Sequence, residues 1–195
     1  MIAVSSRHPD SNHWVSGGVG IRFCDWRFIH RARLNVLSLN AARRRAARGD
    51  IRCRVCGHQE ETLPHVVNLC LPHADGWTRR HDEIIRLLVA ELPQGWEVRI
   101  NQRVHGDESL LRPDMVIWEV PRGVIHVIDT TVPFENRPEA MAAAKAKKME
   151  KCAALVDRMR VRCAYEMEVH LDALVVGALG SWTWENDTPR PAPHP

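Results

Sequence analysis

The sequence predicts an α/β protein with elements in the order α-β-β-β-α-β, preceded by a small metal-binding module. Three observations predict it. Two stretches carry helical spacing, four short runs are rich in β-branched residues, and Cys53, Cys56, His65 and Cys70 crowd into one short window.

Taken in order, residues 1–21 read as a flexible lead, because Ser5, Ser6, Pro9, Asp10, Ser11 and the Gly17, Gly18, Gly20 cluster are turn and loop formers. Residues 22–50 read as a basic arm. Between 22 and 54, ten Arg stand against Asp25 and Asp50, a local excess of +8 in a chain whose net charge is only +3. Arg without Lys favours bidentate contact with phosphate, so Arg31, Arg33, Arg43, Arg44 and Arg45 are candidate nucleic-acid contacts. A solvated basic face is the competing reading.

Residues 51–76 hold Cys53, Cys56, His65 and Cys70 in the spacing C-x2-C-x8-H-x4-C. Three thiolates and one imidazole are the usual set for a closed tetrahedral Zn²⁺ site, and a metal with no open position is structural. His58 and His73 lie close enough in sequence to substitute as ligands, and the competing reading is simply buried thiols with an unrelated surface histidine. Four ligands in one window suit a reducing compartment better than disulfides, which leaves Cys24, Cys152 and Cys163 as free thiols. No apolar run is long enough to span a bilayer and residues 1–20 are too polar for a signal peptide, so an intracellular protein without a membrane partner is expected.

Residues 77–185 form the catalytic-sized domain. Ile84, Ile85, Leu87, Leu88 and Leu92 give an amphipathic helix from Thr78, its possible N-cap, to Leu92, stopped by Pro93. Alternation over 96–102 predicts a strand, and β-rich runs at 112–120 and 123–129 predict two more. Asn136 and Pro138 open an Ala-rich helix to about Met159, and 167–176 return to a strand. Residues 186–195 read as a disordered tail.

Pro121 and Arg122 separate the second and third β-rich runs. A two-residue hairpin loop there makes Val120 face Gly123 and sets Asp114 opposite Asp129, each at the end of a face otherwise occupied by Val116, Trp118, Ile125 and Val127. Opposed like charges weaken a sheet unless something compensates, and a Mg²⁺ or Mn²⁺ ion bound by both carboxylates is suited to do so. Two unrelated solvated acids are the plain alternative.

This order, with Arg112-Pro113-Asp114 on one strand and Asp129 on the next, resembles the PD-(D/E)xK nuclease superfamily, to which many restriction enzymes belong. A more specific resemblance is to the C-terminal part of site-specific non-LTR retrotransposon proteins, in which a CCHC zinc knuckle precedes a restriction-like endonuclease. It is carried by Arg33-Leu34-Asn35-Val36-Leu37, the zinc quartet, Arg80-His81-Asp82, Arg112-Pro113-Asp114, Asp129-Thr130-Thr131-Val132-Pro133-Phe134-Glu135 and Gly177-Ala178-Leu179-Gly180-Ser181-Trp182, covering about residues 30–184.

The resemblance implies a restriction-endonuclease-like core with a mixed sheet flanked by helices. It also implies a Mg²⁺-dependent nuclease that nicks a double-stranded chromosomal target so that the freed end primes reverse transcription. Element RNA and the reverse transcriptase domain of the same polyprotein would be partners, and the location nuclear. Asp114 and Asp129 become the catalytic metal ligands. The superfamily's lysine stands two residues beyond the second acid, where this chain has Thr131; the retrotransposon branch displaces it to the following helix, where Lys145, Lys147, Lys148 and Lys151 are available. Met141, Lys145, Lys148, Met149, Cys152, Leu155, Val156 and Met159 share one helical stripe, which favours Lys148 and then Lys151 over a merely solubilising role.

Arg112 is a candidate phosphate contact and Glu83 either a ligand or a surface acid preceding Arg86. His81 reads as a structural partner, and Trp182 and Trp184 as buried or base-stacking rings. Two other functions fit the same residues: an inactive DNA- or RNA-binding module, and a branched-DNA resolvase of the same superfamily.

Overall fold

The computed structural model describes residues 1–17, 20–42, 49–163 and 167–187. Along them run α1 (Ile2–Ser5), α2 (His13–Gly17), α3 (Phe23–Arg33), α4 (Leu63–Asn68), α5 (Ala74–Ala90), β1 (Glu97–Ile100), β2 (Met115–Glu119), β3 (Val124–Thr131), α6 (Pro138–Arg162) and β4 (Glu168–Val175). The chain divides into two compact units. One comprises Met1–Thr78, Val132–Met141 and Val176–Pro195, the other Arg79–Thr131 and Ala142–Val175.

The second unit is a mixed α/β layer structure. Its four strands lie in the order β1-β2-β3-β4, antiparallel between the first three and parallel between β3 and β4. A parallel pair needs a long crossover, and α6 supplies it. The β2–β3 turn is tight: Gly123 adopts φ +65°, which a residue without Cβ does at little cost, and its N–H donates to the Val120 carbonyl at 3.2 Å. Met115 therefore pairs with Ile128 and Glu119 with Val124, the register expected from the Pro121-Arg122 loop.

Strand alternation gives the sheet two apolar faces. On one, Val116, Ile125, Val127 and Val169 pack with Leu155, Val156 and Met159 of α6. On the other, Met115 and Ile117 meet Ile85 of α5, flanked by Leu88, Val98 and Ile128. The α6 stripe read from the sequence is the buried face: Met141, Cys152, Leu155, Val156 and Met159 are buried, with Lys145, Lys148 and Met149 at its margin.

Element ends differ from expectation where local chemistry intervenes. Strand β1 stops at Ile100 because Asn101 turns into a left-handed conformation at φ +52°. Helix α5 begins at Ala74 rather than Thr78.

The first unit is built differently, from short helices and a core of Ala32, Leu63 and Leu179 with Leu37, Leu39, Val67 and Phe134 against it. Part of residues 1–15 is packed there: Val4, Trp14, Ser5, His8 and Ser11 are buried, whereas the sequence suggested a flexible lead. Their partners are distant in sequence. His8 Nε2 lies 2.5 Å from Asp187 Oδ2, and Ser11 Oγ accepts the Trp182 N–H at 2.8 Å. Residues 188–195, most of the expected tail, fall outside the described residues, as do Arg43, Arg44 and Arg45.

Candidate metal centre and carboxylate site

In the first unit the cysteine and histidine quartet converges. The ligand atoms of Cys53, Cys56, His65 and Cys70 all lie within 4.8 Å of one another. Cys53 Sγ and Cys70 Sγ are 3.9 Å apart, and Cys56 Sγ is 3.2 Å from His65 Nε2. Sulfurs at a Zn–S distance of about 2.3 Å on tetrahedral corners stand roughly 3.8 Å apart, so the quartet fits such a cation.

Local sequence explains the convergence. Gly57 at φ +72° lets its N–H reach the Cys53 carbonyl at 2.8 Å, folding Cys53 and Cys56 to one side, while the Cys53 N–H donates to His58 O at 2.8 Å. Thr62 caps α4 by accepting the His65 N–H at 3.4 Å, which fixes the turn that presents the imidazole. His58 is not in the quartet; its ring stacks on His65 at 4.4 Å. Burial pushes the Cys70 thiol up to about 12, with Cys56 and Cys53 adding to the shift. A thiol that resists ionisation among other sulfurs becomes a thiolate when a cation sits between them. Glu61 braces the module, accepting Arg54 Nε at 2.7 Å and the Asn40 N–H at 2.7 Å, and the Arg54 guanidinium holds its carboxyl down at about 2.

In the second unit Asp114, just before β2, and Asp129 on β3 face each other as the register requires, close enough for each carboxyl to influence the other's ionisation. Both are buried, Asp129 completely. Helix α6 brings two cations to Asp129: Lys148 Nζ donates to Oδ1 at 3.0 Å and Lys151 Nζ to Oδ2 at 2.9 Å. Lys148 is also 3.7 Å from Asp114 Oδ2. From α5, His81 Nε2 lies 3.1 Å from that same Oδ2, which also accepts the Thr130 N–H at 2.6 Å.

Two buried carboxyls this close cannot both ionise freely. Burial and the neighbouring Asp114 raise the Asp129 carboxyl above its ordinary range, against the pull of Lys151 and Lys148. Burial also opposes ionisation of Asp114, but His81, Asp129, the Thr130 N–H and Lys148 outweigh it and hold Asp114 low. Ionising both acids is therefore disfavoured, a cost that a cation between them would relieve. Burial pushes the Cys152 thiol, 3.8 Å from Asp129 Oδ2, up to about 11, so it behaves there as a neutral wall.

The remaining sequence candidates fall elsewhere. Arg112 is exposed and Arg31 partly so. Arg33 is buried: its guanidinium donates to Asn12 Oδ1 and Leu179 O, each at 2.8 Å, and stacks over Trp14 at 5.0 Å. It is a structural cation, unavailable to a phosphate, because the packed part of residues 1–15, together with residue 179, encloses it. Lys145 pairs with Asp172 at 3.1 Å, and exposed Glu83 pairs with Arg86. Trp182 Nε1 donates to Asp187 and Trp184 Nε1 to the Arg7 carbonyl.

Sequence reasoning assigned no role to Glu135, which is completely buried and accepts the Leu179 N–H and the Ser181 hydroxyl, each at 2.7 Å. A side chain at Gly177 would collide with its carboxylate.

No family model matches the chain. It is similar to the retrovirus-related Pol polyprotein from type-1 retrotransposable element R2 of Popillia japonica, with 26% identity over 142 residues. The match covers 69% of this chain and 31% of that polyprotein. The distant likeness points to a retrotransposon-related function. No helix among the described residues is long and apolar enough to cross a membrane.

Proposed function

We propose that the chain is a divalent-metal-dependent DNA endonuclease of the restriction-like type, acting as the nicking part of a non-LTR retrotransposon protein. The observation that carries this reading is the convergence of Asp114 and Asp129 with Lys148 and Lys151 at one end of the inner strands β2 and β3. The α-β-β-β-α-β order with its mixed sheet and the likeness to an R2 polyprotein both support it.

Asp114 and Asp129 would hold Mg²⁺ or Mn²⁺, hard cations that take carboxylate oxygens and complete their shell with water and phosphate oxygens. When bound, such an ion supplies Lewis acidity toward the scissile phosphate and makes water a better nucleophile. The chain's own residues do the rest. Lys148 and Lys151, both within reach of Asp129, would orient water and offset negative charge developing on phosphate oxygens. The P–O bond to the 3′ oxygen breaks as water attacks phosphorus, leaving a 3′ hydroxyl able to prime synthesis. The quartet is assigned a structural Zn²⁺, and the exposed Arg112 and the partly exposed Arg31 are assigned contacts to the DNA backbone. Element RNA, the reverse transcriptase domain of the same polyprotein and a nuclear location belong to this reading.

The test is nicking of supercoiled plasmid or a matched target duplex in Mg²⁺ or Mn²⁺. Wild type is expected to convert plasmid to the open circle, and Asp114→Ala and Asp129→Ala to leave it supercoiled. Equal nicking by all three would remove the acids from the mechanism.

A further inference from the structure

Each oxygen of a carboxylate can serve a metal or the protein, and how the protein divides them decides how the metal is held. The two acids are treated unequally. Among the described residues, Asp129 accepts from two long, flexible lysines, of which Lys151 is 42% exposed, with the weakly donating Cys152 thiol farther off at 3.8 Å, so its contacts are easily exchanged. Asp114 is met at hydrogen-bond distance by rigid groups, with Lys148 farther off at 3.7 Å from Oδ2. Its Oδ2 accepts the Thr130 backbone N–H at 2.6 Å, from the strand that carries Asp129, and faces His81 Nε2 at 3.1 Å from α5.

The imidazole is itself oriented. His81 Nδ1 lies 3.3 Å from Oδ1 of its neighbour Asp82, and the ring sits on a 17-residue helix anchored by Ile85 in the core of its unit. A histidine with a carboxylate at each nitrogen has its ring plane set by both. With Oδ2 occupied by two donors from two different elements, the carboxylate cannot rotate about its Cβ–Cγ bond without losing both. Only Oδ1 remains to a cation.

We propose that His81 is a positioning residue: it locks the Asp114 carboxylate so that the cation is bound through one oxygen only. The inference rests on the endonuclease reading, since it assigns a role at that metal site. It goes beyond the sequence reading of His81 as a structural partner of the helix start. Replacing a group that orients a metal ligand typically weakens metal binding about 10–100-fold.

The test is Mn²⁺ binding to the zinc-loaded chain, followed by electron paramagnetic resonance without any substrate. His81→Ala, at a quarter-exposed helix position where alanine is well tolerated, is expected to bind Mn²⁺ about 10–100-fold more weakly than wild type with its thermal midpoint little changed. His81→Gln, whose amide can still donate to Oδ2, should recover most of the loss. Should His81→Ala fail to fold, His81→Asn serves in its place, because its amide is too short to reach. Unchanged binding in the folded variant overturns the positioning role while leaving the endonuclease reading intact. If wild type shows no Mn²⁺ binding that Asp114→Asn and Asp129→Asn abolish, both fail together. An equal loss in His81→Ala and His81→Gln also overturns the proposal, since the ring would then matter for its shape and not for its hydrogen bond.

Discussion

Around Asp129 the buried negative charge is met by the protein's own cations, Lys148 and Lys151, with His81 serving its partner acid. The donors at Cys53, Cys56, His65 and Cys70 include no permanent cation, and burial drives the Cys70 thiol toward its neutral form. The acid pair is therefore complete as a protein structure before any metal arrives, and a metal there competes with groups already in place. The thiol quartet becomes a stable charged structure only with its ion. On the proposed reading, the difference would separate a cation that comes and goes from one that is part of the fold.

Chelation is the sharpest way to break this comparison, and it carries the largest expected effect. Structural zinc contributes about 10–16 kcal/mol in small modules, so Cys53→Ser, or a strong chelator, should drop bound zinc from about one per chain to near none and unfold the segment around it. The sheet unit should keep its far-ultraviolet signal under the same chelator. If the sheet melts with the zinc, the contrast is lost.

Next in size, Asp129→Ala should lower nicking about 10³-fold, the equivalent of roughly 4 kcal/mol, without disturbing zinc content. Lys148→Ala follows with about a 10²-fold loss in rate at saturating Mg²⁺. Lys151→Ala should lose less, because Lys148 is the more enclosed and lies within 3.7 Å of Asp114 as well. A larger loss for Lys151 would exchange their roles.

Gly177→Ala probes the first unit without touching any metal donor. The added methyl meets the Glu135 carboxylate, and overpacking of this kind costs about 1–3 kcal/mol, read as a lower thermal midpoint at constant zinc content.

The smallest effect is a pH dependence in the second unit. The Arg158 guanidinium, 2.6 Å from Asp107 Oδ1, and Ser109 hold the Asp107 carboxyl down at about 2, below its ordinary value. A depressed carboxyl stabilises the fold above its unfolded pKa of about 4, and that contribution disappears as pH falls from about 4 to about 2. Arg158 is half exposed and solvent screens the pair, so the loss should be slight. Asp107→Asn should flatten that part of a melting-temperature profile and leave the rest unchanged.

The parts of this architecture that were legible in the sequence are those set by short-range periodicity. One loop, Pro121-Arg122, and the two-residue period of strands were enough to oppose Asp114 and Asp129, because register follows from turn length. Helical period placed Lys148 on the stripe of Cys152 and Leu155; Lys151 reaches Asp129 from beside it by the length of its side chain. Arg33 was misread as a phosphate contact because its enclosure depends on Trp14, Asn12 and Leu179, distant residues with no common period. The packing within residues 1–15 escaped notice for the same reason, and so did Glu135, whose two donors lie more than forty positions away. Pairings of this kind leave a trace only in the folded chain.

The β2–β3 hairpin closes over a few residues, whereas the β3–β4 pairing waits for the whole of α6 to cross over. Local contacts form faster than distant ones. The two aspartates are thus brought face to face before the lysines that quiet them can dock. During folding the hairpin carries an unrelieved repulsion, and divalent cations or mild acidity should ease that stage. The ion proposed for the acid pair would then also act, briefly, as a folding aid.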